Sequence, residues 1–327
     1  MRVDSKVLHT LVIACAEGAL ANEKLNQWKT AAMKDERNEI IMEMEKKDVQ
    51  ALKPDCLAPA AIEAKAETVA IGKTNLSTGR CFALSILAGM FIGMGALFML
   101  FVKADSNLSF APSQILGGLC FSLGLICVIV AGAELFTGNA LMICAKVSGK
   151  ISWGGLAKNW VLVWVGNFIG SLILVFIIVM CNSASFDSGA VGNAMINTAY
   201  SKINLPWMTI FFRGIMCNIL VCLAVWMGFG GRTVIDKIFT SMIPVMAFVA
   251  CGFEHCVANM FFLPMGVVTL NTVGYTGTTD IDKINAVVTA GGALFNISAS
   301  TLGNIVGGAL FIGGLYWIAY HKKQANK

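Results

Sequence analysis

Two short stretches place ionisable and polar side chains inside long apolar runs of the sequence. The first is GFEHCVAN, which carries Glu254, His255 and Asn259. The second is GAELFTGN, in which Glu134 and Asn139 stand at the same offsets. Ionisable side chains are costly in hydrocarbon, so those found in apolar runs mark sites with a definite role. Two copies of one pattern predict two related sites in one chain.

The composition predicts that these sites lie in a membrane. Of the 327 residues, 57% are hydrophobic and only 13% are charged. Uncharged apolar runs of about 20 residues are typical of transmembrane helices. Six such runs are predicted to span a bilayer: Phe82–Val102, Gln114–Ala131, Trp160–Cys181, Trp207–Gly228, Ile238–Met265 and Phe295–Tyr320.

The second and fifth runs continue past the paired motifs and are too long for one simple span. We therefore predict that both helices are interrupted there. Irregular backbone in a bilayer persists only against protein or a water-lined cavity, because unpaired backbone groups are costly in hydrocarbon. Glu134 and Glu254 are predicted to accept hydrogen bonds from the freed N–H groups. Asn139 and Asn259 donate and accept, and suit the same structural role.

Further motifs repeat in the same order. Span three contains GNFIG at 166–170, and span six contains GNIVG at 303–307. With three spans in each unit, the second unit must be inverted relative to the first. Inverted repeats with broken helices are typical of transporters and channels, whose sites lie near the midplane. The predicted fold is an all-α integral membrane protein with six transmembrane helices in two inverted three-helix repeats.

The residues that differ between the two copies are the candidates for chemistry. They are LFT at 135–137 and HCV at 255–257. His255 is the only histidine in any predicted span. A lone buried histidine is usually a packed core residue, but its place at a helix break favours a functional role. Thr137 is predicted to reach His255 across the pseudo-twofold axis and to hold its tautomer.

Large apolar side chains flank the two predicted breaks. Each one alone fits a core or lipid-facing position, and only the set indicates a narrow, poorly hydrated path. The set consists of Phe121, Leu125, Phe136, Val221 and Phe248.

Positive charges predict the orientation in the membrane. Lysine and arginine concentrate between spans two and three, between spans four and five, and at both ends of the chain. The positive-inside rule therefore places both termini in the cytoplasm, and we expect the plasma membrane. His9 and Glu17 interrupt the apolar stretch near the start, so no cleaved signal peptide is expected.

Four segments are predicted along the chain. Residues 1–53 form a cytoplasmic helical extension, either a plain tail or a regulatory helix. Residues 54–80 form an amphipathic helix and a linker, residues 81–321 the channel domain, and residues 322–327 a cytoplasmic tail.

Other classes of protein fit the sequence less well. A pore for water or small neutral solutes is the nearest alternative, but the paired Asn-Pro-Ala signature of aquaporins is absent. A membrane enzyme is disfavoured because no hydrolytic cluster is present, and a receptor would give no flux. The cysteines show no CxxC pair, and the charge of +5 is dispersed. We therefore expect no cofactor, no metal and no nucleic-acid partner.

With these residues the chain resembles the formate/nitrite transporter family over about residues 55–325. The resemblance rests on AGAELFTGNALM, NILVCLAVWM, GFEHCVANMFFLPMG and GNIVGG, in that order. It implies an aquaporin-like bundle and a homopentamer in the lipid bilayer with one pore per protomer. It also implies transport of small monovalent weak-acid anions, with protons in many members. Formate, nitrite, lactate, acetate and hydrosulfide are such anions.

The resemblance also implies roles for individual residues. His255 matches the central pore histidine, and Thr137 matches the threonine of the loop that breaks span two. Lys202 matches a lysine of the outer vestibule, and Asn218 matches a pore asparagine. Without the resemblance, Lys202 also fits an ordinary lysine that extends to the membrane surface.

The mechanism implied is passage of a neutral acid through an apolar neck, where Leu125 and Phe248 match one constriction. A bare anion is costly in a low dielectric, and desolvation raises its affinity for a proton. Lys202 attracts the anion to the mouth. The proton comes either from His255 or from vestibule water, or else a charged His255 stabilises the passing anion directly. The sequence leaves these three open.

Overall fold

The computed structural model describes residues 56–321, together with positions 29–31, 33–36, 38, 39 and 42, which are helical. The predictions for the tail at 322–327 and for the absence of a signal peptide lie outside the described residues. The predicted extension at 1–53 also lies outside them, except at the positions just given. Residues 56–321 are helices joined by short connections, without any strand.

The first half of the fold contains five helices. They are α1 (Pro59–Thr74), α2 (Thr78–Ala104), α3 (Phe110–Gly132), α4 (Phe136–Val147) and α5 (Trp153–Met180). Helix α1 begins with a proline in its first turn, where a missing N–H costs nothing, and it lies within the segment predicted to be amphipathic. Helix α3 ends in a π-helical turn, Val128–Gly132.

The second half repeats this order. It contains α6 (Ala190–Ile203), α7 (Trp207–Gly230), α8 (Val234–Ala250), α9 (Cys256–Thr272), the short α10 (Ile281–Val287) and α11 (Ala290–Tyr320). Helix α6 stands before α7 as α1 stands before α2. The sequence analysis did not predict it.

Five of the described helices are long and apolar enough to cross a membrane, namely α2, α3, α5, α7 and α11. Each contains one predicted span, except that α5 ends one residue before the predicted end at Cys181. The fifth predicted span is divided between α8 and α9. Residues 56–321 are therefore all-helical with interrupted second and fifth elements, as predicted.

The two interruptions have the same local cause. Gly132 has φ +88° and Gly252 has φ +69°, a left-handed conformation that favours glycine and ends a helix. Both glycines stand two residues before the glutamate of their motif. Residues 133–135 and 253–255 then run without helical structure before the next helix starts.

The repeated GNxxG motifs explain how closely the helices pack. Helix α5 packs on α2, and α11 packs on α7. At Gly170 a Cβ atom would overlap the carbonyl oxygen of Ile86, and at Gly307 one would overlap that of Ile215. Small residues of this kind let transmembrane helices approach at backbone distance. This packing holds both interrupted elements against rigid partners.

Candidate functional site

The centre of the site joins the two halves of the fold. The hydroxyl oxygen of Thr137, in the first turn of α4, lies 2.9 Å from Nε2 of His255, which caps α9. Thr137 is fully buried and His255 is 3% exposed. The structure thus brings together the two residues that sequence reasoning paired.

The hydrogen bonds of His255 define its tautomer. Its Nδ1 accepts the backbone N–H of Ala258 at 3.0 Å, so Nδ1 carries no hydrogen. The imidazole that fits this geometry is neutral, with its hydrogen on Nε2 donated to Thr137. A proton can enter at Nδ1 only if the cap of α9 breaks. The ring of Phe248 stacks on the imidazole, with centroids 5.8 Å apart.

At the first break, side chains from two different helices bind Glu134. Its Oε1 accepts Nζ of Lys73 in α1 at 2.7 Å. Its Oε2 accepts Nδ2 of Asn139 at 2.8 Å, and Asn139 also donates to Asn159 in α5 at 2.8 Å. The buried carboxylate is therefore paired with an ammonium group and held by an amide.

The second break repeats this network with matching atoms. Glu254 accepts Nζ of Lys202 in α6 at 3.0 Å and Nδ2 of Asn259 at 2.6 Å. Asn259 also donates to Asn296 in α11 at 2.7 Å. The equivalence of the two networks extends the internal repeat to α1 and α6.

Sequence reasoning missed Lys73, Asn159 and Asn296. A signal for Lys73 existed, because it ends the helix before α2 as Lys202 ends the helix before α7. The repeat that the sequence indicates covers only the six predicted spans, and Lys73 lies outside them.

The freed backbone groups are bound by asparagines, not by the glutamates as the sequence analysis expected. At the first break, Asn167 accepts the N–H of Phe136 at 2.9 Å and donates to the carbonyl of Glu134 at 2.9 Å. At the second break, Asn304 accepts the N–H of Cys256 at 2.9 Å and donates to the carbonyl of Glu254 at 2.9 Å. A neutral amide offers both a donor and an acceptor, which a carboxylate cannot do.

Both asparagines belong to the GNxxG motifs, which the sequence analysis used only as evidence for the internal repeat and for the family resemblance. Asn218 also contacts this framework, because its Nδ2 donates to the carbonyls of Thr137 at 3.2 Å and Asn304 at 2.6 Å. It therefore fixes the backbone that presents the Thr137 hydroxyl.

Two cavities approach the central pair from different sides. The His255 cavity has a volume of about 400 Å³, and its lining includes Phe121, Phe248 and Lys202. The Glu134 cavity has a volume of about 550 Å³, and its lining includes Leu125 and Lys73. Neither lining includes Thr137.

The five apolar side chains predicted to form the narrow path do not all line the same cavity. Phe121 and Phe248 line the His255 cavity, with ring centroids 5.7 Å apart, and Leu125 lines the Glu134 cavity. Phe136 and Val221 are 5% and 1% exposed and line neither cavity. Three of the five side chains thus border a cavity, and the other two are buried away from both linings.

The fold has two inverted helical halves, each with a broken helix, and two cavities with apolar side chains between them. These features define an integral membrane channel or transporter. The sequence matches the formate/nitrite transporter family over residues 60–318. The chain belongs to this family. The predicted family and the predicted class, a transporter and not an enzyme, are confirmed.

Characterised relatives cover most of the chain. The formate channel FocA of Escherichia coli K12 is 37% identical over 275 residues, which cover 83% of this chain and 96% of the relative. FocA of Haemophilus influenzae is 38% identical over 275 residues, covering 81% and 95%. A solved structure described as a pentameric formate channel with formate bound is 40% identical, with a TM-score of 0.68, covering 75% of this chain and 98% of its own.

Proposed function

We propose that this protein conducts formate together with a proton, as a homopentamer with one pathway per protomer. The names of the relatives and the solved neighbour support formate and the pentamer. The observation that carries the proposal is the buried Thr137–His255 pair between two cation-lined cavities. Nitrite, lactate, acetate and hydrosulfide are small weak-acid anions and stay candidate substrates.

The charge of the cavities favours anions. Each lining holds three basic side chains and one acidic one, which leaves a net charge of +2. The lining of the His255 cavity contains Lys103, Lys202, Arg213 and Glu254. The lining of the Glu134 cavity contains Lys65, Lys73, Lys237 and Glu134. A positive potential concentrates anions at both mouths and does nothing for neutral solutes, which argues against a pore of the aquaporin type.

The apolar layer between the cavities opposes a bare anion. Transfer of an isolated carboxylate into a medium of low dielectric costs on the order of tens of kcal/mol, and in practice the group takes up a proton instead. Desolvation beside Phe121 and Phe248 raises the proton affinity of the anion. Formate therefore crosses the layer as neutral formic acid and releases its proton in the opposite cavity.

The geometry of His255 favours vestibule water as the source of this proton. Charging the imidazole requires breaking the 3.0 Å bond from Ala258 to Nδ1, and no carboxylate among residues 56–321 is hydrogen-bonded to the ring. The neutral ring instead orients the Thr137 hydroxyl, which offers a hydrogen bond to the passing acid and replaces part of its lost hydration. His255 is thus proposed as a hydrogen-bonding group and not as a proton donor.

Uptake into proteoliposomes tests the proposal. Purified protein is reconstituted, and uptake of formate, nitrite, lactate, hydrosulfide and glycerol is compared with empty liposomes. We expect formate uptake to rise as external pH falls, with alkalinisation outside the vesicles, because a proton accompanies each anion. Flux of glycerol with none of the anions would contradict the proposal and favour a neutral solute pore. The plasma membrane and the cytoplasmic termini stay predictions.

A further inference from the structure

A second cluster of ionisable side chains lies away from the transport site, where α1 meets the end of α11. Glu63 and Glu67 stand four residues apart on one face of α1 and are 3% and 2% exposed. His321 directly follows α11, and its side chain is 21% exposed. One ligating atom from each of the three lies within 4.8 Å of the other two.

We propose that Glu63, Glu67 and His321 bind a divalent transition-metal ion of the Zn²⁺ type. Nδ1 of His321 lies 3.5 Å from Oε1 of Glu63 and 3.3 Å from Oε1 of Glu67. Ligands about 2.0–2.1 Å from a tetrahedral Zn²⁺ ion are separated from one another by roughly 3.3 Å. The two separations from His321 thus match those between ligands of such an ion, and the third lies within 4.8 Å.

A buried oxygen atom without a hydrogen bond points to a missing ligand. Oε1 of Glu63 accepts no hydrogen bond among the described residues, and Nδ1 of His321, 3.5 Å away, pairs with it only when the ring is protonated. A buried carboxylate oxygen without a partner is costly. A cation between Glu63 and His321 removes this cost.

The surroundings orient the proposed ligands. Glu67 accepts hydrogen bonds from Lys150 on Oε2 and from Ser148 on Oε1. The Ser148 oxygen accepts the indole N–H of Trp317 at 2.7 Å and lies 3.3 Å from Nδ1 of His321. Second-layer contacts of this kind fix the direction of a metal ligand. A water molecule or the Ser148 oxygen would take the fourth position.

The charge and the ligand types select the class of ion. Two carboxylates against the Lys150 ammonium leave a net charge of −1 when His321 is neutral, so a cation is favourable. Imidazole favours transition metals over Mg²⁺ and Ca²⁺, which prefer six or more oxygen ligands. A bound ion would join α1 to the end of the last transmembrane helix.

Metal binding to the intact protein in detergent tests this proposal, and it does not depend on transport. The full chain is purified with a tag free of histidine, treated with chelator and titrated with Zn²⁺ against a fluorescent zinc chelator. We expect one high-affinity site per chain. His321→Ala and Glu63→Gln should each weaken it by about tenfold or more, whereas His321→Cys should retain it, because thiolate is also a good zinc ligand.

Two controls make the result specific. His9→Ala removes the other histidine outside the predicted spans, and Asp282→Asn removes an exposed carboxylate of α10; both should leave zinc affinity unchanged. Co²⁺ should give the absorption bands of a tetrahedral site in the wild type and not in His321→Ala. Equal zinc affinity in the wild type and His321→Ala, or no binding by the wild type, would overturn the proposal, and the cluster would then be a plain ion-pair network. Size-exclusion chromatography confirms that each variant is folded.

Discussion

Thr137 and His255, 118 positions apart in the sequence, lie 2.9 Å apart and form a side-chain hydrogen bond between the tips of the two broken elements. The first copy of the repeated motif has Thr137 but a leucine in the position of His255. The second copy has His255 but a valine in the position of Thr137. The inverted repeat therefore provides a symmetric frame, and its two unlike residues create the polar point in the apolar layer.

The first prediction concerns His255. Replacement of His255 by Phe removes the donor at Nε2 and leaves the Thr137 hydroxyl without its partner, so formate uptake should fall by at least about tenfold. His255→Asn keeps an amide donor and should retain more uptake. Because the neutral ring is not the proton source, both variants should still take up more formate as pH falls from about 8 to 5. The measurement is initial uptake into proteoliposomes.

The opposite outcome would be decisive. If the uptake of His255→Asn were independent of pH over this range while that of the wild type rose, His255 would be the proton donor. Uptake equal to wild type in both variants would remove His255 from the mechanism.

The interrupted helices could be predicted because their motif occurs twice and because the apolar runs were too long for single spans. The ion pairs of the glutamates were not predicted, since Lys73 and Lys202 lie in helices outside the spans, and only the equal positions of these lysines before α2 and α7 indicate them. Helix α6 was missed because its mixture of small, polar and apolar residues gives neither a long apolar run nor a charge boundary. The role of Asn167 was missed because hydrogen bonds to a freed backbone depend on how three segments meet, which residue type and spacing do not specify.

The second prediction concerns the ammonium groups of the cavities. Lys202→Met should raise the KM for formate several-fold, because the positive potential that concentrates anions in the His255 cavity is reduced. It also leaves Glu254, which is 1% exposed, without its charge partner. The double variant with Glu254→Gln restores the wild-type net charge and should recover part of the lost affinity. Concentration-dependent uptake measures the effect.

Lys283→Ala is the matched control, because this lysine is exposed in α10 and does not line the cavity. It should leave KM unchanged. Equal KM values for Lys202→Met and the wild type, with the oligomer intact, would argue against electrostatic recruitment.

The third prediction concerns the amides that bind the freed backbone. Asn167→Leu leaves the N–H of Phe136 and the carbonyl of Glu134 without partners in an apolar surrounding. Each unpaired buried group costs about 1–3 kcal/mol, so the variant should unfold in detergent at a clearly lower temperature than the wild type. Asn304→Leu should behave alike because its contacts are equivalent.

Asn107→Leu provides the comparison, since this asparagine is exposed in the connection after α2. Its thermal transition should match that of the wild type. If Asn167→Leu and Asn304→Leu unfolded at the same temperature as the wild type, other groups or water would have to bind the freed backbone.

The last prediction uses the close packing of the GNxxG motifs. Gly170→Ala and Gly307→Ala each place a Cβ atom against a backbone carbonyl of the neighbouring helix, which cannot move aside as a side-chain end can. Overpacking of this kind typically costs about 1–3 kcal/mol, so both variants should have lower thermal stability. Gly72→Ala is the matched control, because nothing lies within 4 Å of the added atom and alanine favours a helix by about 1 kcal/mol. It should be as stable as the wild type or slightly more so. If all three alanine variants unfolded together at the wild-type temperature, the helix pairs would not depend on backbone contact at these glycines.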